Sequence, residues 1–344
     1  MRIRDSHLTR KRRDSEGSMA GGRPEGPAGY LRPGRALAAS VAALSALALT
    51  ACSAPEGGFD SGGAGGTAIT LVEQPWEDLM VENAIVSQLL EELGYTVSIE
   101  ELSVPLGAQA LASGDADVYL GNWWPSQEDV FAEHIDTGSV EVLGTLVTEA
   151  SFEPAVPRYV AERYDVTSLA DLAPNAAAFG NEFLGIEAGA PGNQSIQDAI
   201  DADAYGLGDW DLVESSTPAM LAEVEQRVAD ERPVVFLAWE PHWMNVEWDL
   251  VYLDDPEEAW PGAGEIRVAT REDFGTDNPN VARLLSQMEV DSGTASDWVH
   301  AVSQENTAAE DVARAWIADN PDAVGAWLAG VETVDGEPAE APRD

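Results

Sequence analysis

Strand and helix signals alternate along this chain twice over, and that alternation limits the possible fold more than any other feature. In the first stretch, Ala68-Ile-Thr-Leu-Val72 is a short apolar, β-prone run. Leu79, Ala84, Val86, Leu89, Leu90 and Leu93 follow at helical spacing over 77–93, and Gly94 stops the pattern. Residues 95–99 read as a strand, 105–113 as a short helix and 118–120 as a strand. The second stretch begins near Ala155. Strand runs at 184–187, 212–214 and 234–238 are separated by helical patterns at 193–202 and 218–229. A further strand at 266–270 precedes an all-helical ending over 281–288, 295–302, 308–317 and 322–328. Such alternation implies βαβ units and a parallel sheet covered on both faces. Two stretches, with a helical ending that can return to the first, predict an α/β protein of two lobes around a ligand cleft. Lobe A should hold residues 68–150 and about 250–331, and lobe B about 151–249.

The segments outside this body read differently. Basic residues are dense over 2–35, and an uncharged apolar run over 36–51 ends in Leu49-Thr-Ala-Cys52. Basic, then apolar, then small residues is the layout of a secretory signal, here 1–51. A membrane-spanning helix needs about 20 apolar residues, and this run is shorter. Its end resembles the bacterial lipobox, which makes Cys52 the lipidation site and implies an extracytoplasmic protein, lipid-anchored to the outer face of the cell membrane. Cys52 is the only cysteine, so it forms no intramolecular disulfide. Glycine and serine dominate 57–66, and 52–67 reads as a flexible tether. The acidic, proline-containing end, 332–344, is expected to be disordered.

Charge and composition exclude several functions. The chain carries 62 Asp and Glu against 18 Lys and Arg, a formal net charge of −44. Half of the basic residues lie in the leader, and no lysine follows Lys11. Binding of nucleic acid through a basic patch, or of phosphate by a lysine-containing P-loop, is therefore not expected. No Gly-x-Ser-x-Gly elbow and no dinucleotide fingerprint occur. His134, His242 and His300 form no close pair, so no metal site and no cofactor are expected. Carboxylates are too numerous for any pair to stand out as catalytic.

Tryptophan is the informative residue. The chain has 11 Trp against 7 Tyr and 7 Phe. Trp298, Trp316 and Trp327 fall in helical patterns and read as packing residues. Trp76, the Trp123-Trp124 pair and Trp239 instead fall in short polar segments just after predicted strands, drawn from both stretches. Ligands of open α/β sheets bind beyond the carboxyl ends of strands. Several indole faces around one volume suit a methylated ammonium ion, which has no N–H to donate and is held by cation–π attraction and methyl contact.

From residue 69 to 331 the chain resembles the substrate-binding proteins of choline and glycine betaine ABC importers, the ProX/OpuAC-like family. The segments that carry the resemblance are Trp76-Glu-Asp78, Gly121-Asn-Trp-Trp-Pro125, Gly185-Ile-Glu-Ala-Gly-Ala-Pro-Gly-Asn193, Leu212-Val-Glu-Ser-Ser216 and Phe236-Leu-Ala-Trp-Glu-Pro-His-Trp-Met-Asn245. The ending Ala315-Trp-Ile-Ala-Asp-Asn-Pro321 matches too. The resemblance implies a type II periplasmic-binding-protein fold, a quaternary ammonium ligand, an ABC permease as partner and no enzymatic step. It also implies that Trp76, Trp123 and Trp239 are walls of an aromatic box, with Asp78 and Asn193 as polar contacts to the ligand's other end. Choline-binding members have a tyrosine before an Ala-Val-Pro segment; here Phe152 stands there, with the ring kept and the hydroxyl lost. Trp124 adjoins the box, and His242 either donates to a carboxylate or anchors its loop. The rival reading is a secreted hydrolase or lyase acting on a choline-containing metabolite, for which no nucleophile, base or metal can be named.

Overall fold

The computed structural model of the chain describes residues 66–341 except Ala263. The leader, Cys52 and nearly all of the tether lie outside the described residues. Strand β1 (Ala68–Glu73) buries Ile69, Leu71 and Val72, and helix α1 (Glu77–Glu92) buries Leu79, Ile85, Val86 and Leu89 and donates from Asn83 to Val72 O. Burying one such side chain contributes roughly 1.5–3 kcal/mol. Strand β2 (Thr96–Glu101), helix α2 (Val104–Ser113) and strand β3 (Val118–Trp124) follow, and β1 pairs in parallel with both β2 and β3. In the second half, β5 (Glu182–Leu184) pairs in parallel with β6 (Asp211–Val213) and β7 (Phe236–Glu240).

The sheet is mixed rather than all parallel. Between the two parallel sets lie β4 (Val140–Pro157) and β9 (Gly264–Arg271), and every pair they make is antiparallel. The 18-residue β4 pairs with β9 through its first part, up to Ala150. From Ser151 it pairs with β7, and near its end with β8 (Leu250–Tyr252). The strand order is β2-β1-β3-β9-β4-β7-β5-β6, with β8 on β4. The sequence hides β4 because Gly144, Pro154 and three acidic residues interrupt it, and its register with β9 shifts three times.

The chain returns to the first set later than the expected residue 250. β8 still pairs with the second part of β4, and Ser168 bridges to Asp254. Pairing with the first set resumes only at Gly264. Helices Ser292–Ser303 and Ala309–Asp319 then pack on α1. The acidic tail also differs from expectation. Gly94 has φ +93° after α1, and Val334 sits where a side chain on Gly94 would point. The Val334 N–H donates to Leu93 O at 2.9 Å, and Glu332 bridges Pro338, so this end is an ordered turn fastened to α1 as far as the described residues run.

Candidate functional site

Three strand ends converge on one cavity. Trp76 occupies the N-cap position of α1, half-buried, directly after β1. Trp123 is the sixth residue of β3, and Trp239 the fourth of β7. Both belong to the strands rather than to following loops, because pairing with β9 extends to Trp124 and pairing with β4 to Glu240. Phe152 of β4 lies opposite Trp239 in the β4–β7 ladder, so the two rings share a face of the sheet. The Phe152 ring centroid lies 5.9 Å from that of Trp123 and 6.2 Å from that of Trp239, with tilts of 49° and 58°. Trp76, Trp123, Phe152 and Trp239 all line the cavity. Gly192 permits the approach of Phe152: a Cβ there would stand 2.3 Å from Phe152 Cε1.

The polar lining is anionic. Asp78, buried in the first turn of α1, faces the cavity beside Glu77. Burial pushes the Asp78 carboxyl up to about 6, against the pull of the Asp78 and Leu79 amides. Burial also pushes Glu77 up to about 7, with the Asp78 and Glu187 charges adding to the shift. One turn along, buried Glu82 is held well above the carboxylate range by burial and by Asp78. Asp78 is therefore easier to protonate than an exposed aspartate, and a nearby cation would favour its ionised form. None of the residues lining this cavity is basic. Glu77 and Gln127 line it too. They were missed because neither side chain type signals a binding role by itself.

Asn193, Trp124 and His242 do not line this cavity themselves. The Asn193 side chain, in the first turn of helix Pro191–Asp201, is taken up by the loop that precedes the helix and by Glu214. Its Oδ1 accepts from Ile186 N–H at 3.0 Å, and its amide donates to Ile186 O, Glu187 O and Glu214 Oε1. It lines the adjoining cavity, which shares Ser126, Ala190 and Pro191 with the aromatic one. The face of Trp124 is covered by the Arg267 guanidinium, 3.8 Å from the ring centroid, which also donates twice to Asn122 Oδ1. His242 is buried, and burial lowers its pKa to about 3, so it is neutral. Its Nδ1 accepts from Met244 N–H at 3.2 Å and its ring meets Trp239 edge-on at 4.9 Å, making it an anchor behind the box.

Residues 67–319 match the family model described as the substrate binding domain of ABC-type glycine betaine transport systems. The chain belongs to this family. Its members are substrate-binding proteins of ABC transporters, not enzymes. A glycine betaine/carnitine transport binding protein of Listeria monocytogenes is 37% identical over 157 residues, 44% of this chain and 51% of that protein. The chain thus matches about half the length of that relative. A glycine betaine-binding periplasmic protein of Dickeya dadantii is 24% identical, across 76% of this chain and 89% of that one. Among solved structures, an ABC-transporter choline-binding protein in complex with choline superposes with TM-score 0.76 at 31% identity, covering 79% of this chain and 95% of that one. Lactococcal OpuAC, closed around glycine betaine, gives TM-score 0.67 at 26% identity, over 76% and 98%. The fold is the mixed α/β fold of type II periplasmic binding proteins.

Proposed function

We propose that this chain captures choline, ahead of glycine betaine, for an ABC importer. Trp76, Trp123, Phe152 and Trp239 enclose the trimethylammonium head, and Asp78 reads the other end. The observation that carries this reading is a cavity of four aromatic rings whose charged lining residues are all acidic. Each ring facing a desolvated cation contributes up to about 2 kcal/mol. Asp78 accepts a hydrogen bond from the hydroxyl of choline and offsets the charge of its ammonium. The carboxylate of glycine betaine would meet that same anion, a repulsion of about 4 kcal/mol at 4 Å with an effective dielectric near 20. The ligand draws the two halves of the sheet together, and that form docks on the permease.

Competition calorimetry with choline and glycine betaine tests this order of preference. Choline should bind at least tenfold tighter. A protein that prefers glycine betaine would show that Asp78 does not read the tail. The proposal includes an extracytoplasmic location and a lipid anchor at Cys52, supported by Leu49-Thr-Ala-Cys52. Mass spectrometry of the membrane fraction should find a diacylglyceryl cysteine at the mature N-terminus. A soluble product with a free Cys52 thiol would overturn that part.

A further inference from the structure

Trp76 differs from the other walls of the box in how it is held. Trp123, Phe152 and Trp239 are fixed by strand pairing. Trp76 lies between β1 and α1 and lines two cavities, the box on one side and an outer cleft beside Leu102 and Ser103 on the other. The ring is half-buried, and the outer cleft borders it on the side away from the box. Its one polar atom, Nε1, donates to Glu187 Oε1 at 2.6 Å. Glu187 belongs to the other set of strands, in the loop after β5. Its second carboxylate oxygen accepts from buried Thr217 Oγ1 at 2.8 Å, at the start of helix Thr217–Ala229. The Asn193 amide holds its backbone carbonyl. Glu187 is therefore a fixed acceptor on one half of the molecule, reached by the only donor of a ring from the other half.

We infer that Glu187 is a positioning residue for ligand capture, a latch that orients the Trp76 indole over the cation and ties that orientation to closure. Hydrogen bonds to a carboxylate are shorter and stronger than neutral ones. This one fixes the ring plane that a cation–π contact requires. Separation of the halves breaks the bond and frees Trp76 to leave the box. Approach of the halves remakes it, so the fourth wall forms as the ligand is enclosed. The negative charge at the indole edge also adds electron density to the face presented to the cation. The inference rests on the reading that Trp76 is a wall of the ligand site, and the test separates the two.

The test is a double-mutant cycle on the whole mature protein, with choline as the probe. Affinity is measured by calorimetry, dissociation by stopped-flow fluorescence and folding by thermal melts. Trp76→Ala should weaken choline about 30-fold, the loss of one desolvated ring. Glu187→Ala should weaken it about tenfold through faster release, with little change in melting temperature. Glu187→Gln should restore most of the affinity, because its amide oxygen accepts from Trp76 and its amide nitrogen donates to Thr217. In the Trp76→Ala background, Glu187→Ala should add almost nothing. Wild-type affinity in Glu187→Ala, or a loss that simply adds to that of Trp76→Ala, would overturn the latch. Wild-type affinity in Trp76→Ala would overturn the site reading itself.

Discussion

Replacing Asp78 by asparagine should stabilise the free protein while weakening its hold on choline. Asp78 is buried, and burial raises its carboxyl from 3.8 to about 6. One pKa unit corresponds to about 1.36 kcal/mol, so ionised Asp78 costs the free folded state on the order of 3 kcal/mol. The sign follows from linkage. The folded pKa lies above the unfolded one, so this cost is absent below about pH 4, grows as pH rises, and is complete above about pH 6. Asparagine escapes the cost but must bury its own amide, leaving a net gain of about 1–2 kcal/mol at neutral pH. The same substitution removes the anion beside the cation. Their attraction is about 4 kcal/mol at 4 Å with an effective dielectric of 20, and after resolvation of choline a loss of 10–100-fold in affinity is expected. Wild-type affinity should itself rise from pH 5 to pH 8, as Asp78 and Glu77 ionise. Denaturant melts at pH 5 and pH 7, with calorimetry at the same two values, provide the assay. An Asp78→Asn variant less stable at pH 7 than wild type, with choline affinity unchanged, would refute the reasoning.

Two further substitutions separate the box from the core. Trp239→Ala should cost on the order of 1–3 kcal/mol of choline affinity and remove much of the fluorescence change on binding. Trp316→Ala should instead lower stability by about 2 kcal/mol, because that ring stacks on Trp327 and meets Trp298 edge-on, and the folded fraction should bind normally. Gly192→Ala should displace Phe152, whose ring edge stands 2.3 Å from the added methyl position, and weaken choline at least tenfold. In a Phe152→Leu background, which has already lost that wall, Gly192→Ala should add little further loss, and a full additive loss there would rule out the clash as its cause.

The parts of the fold visible in the sequence were those with local causes. The helical spacing ending at Gly94 matches α1, and the apolar runs near 68 and 234 match β1 and β7 within a few residues. β4 was not legible, because a strand that changes partners midway has no single buried face to write into its pattern. The tail was misread from composition, since its ordering depends on Val334 meeting a glycine some 240 residues earlier in the chain. At the site, Trp76, Trp123, Phe152, Trp239 and Asp78 gather around one cavity. Asn193, Trp124 and His242 do not, because each is claimed by a partner that no motif announces: a loop backbone, an arginine face and a buried amide. The Glu187–Trp76 bond joins residues 111 positions apart and follows only from the folded geometry.

The central claim is that the box holds a cation by its charge as well as its shape. The direct measurement is the calorimetric affinity for choline beside that for 3,3-dimethylbutan-1-ol, which replaces the ammonium nitrogen by carbon at nearly the same size. Four rings and Asp78 acting on the charge predict that choline binds at least 100-fold tighter, about 2.7 kcal/mol. Affinities within threefold of each other would mean that the cavity selects for apolar shape alone and would contradict the account.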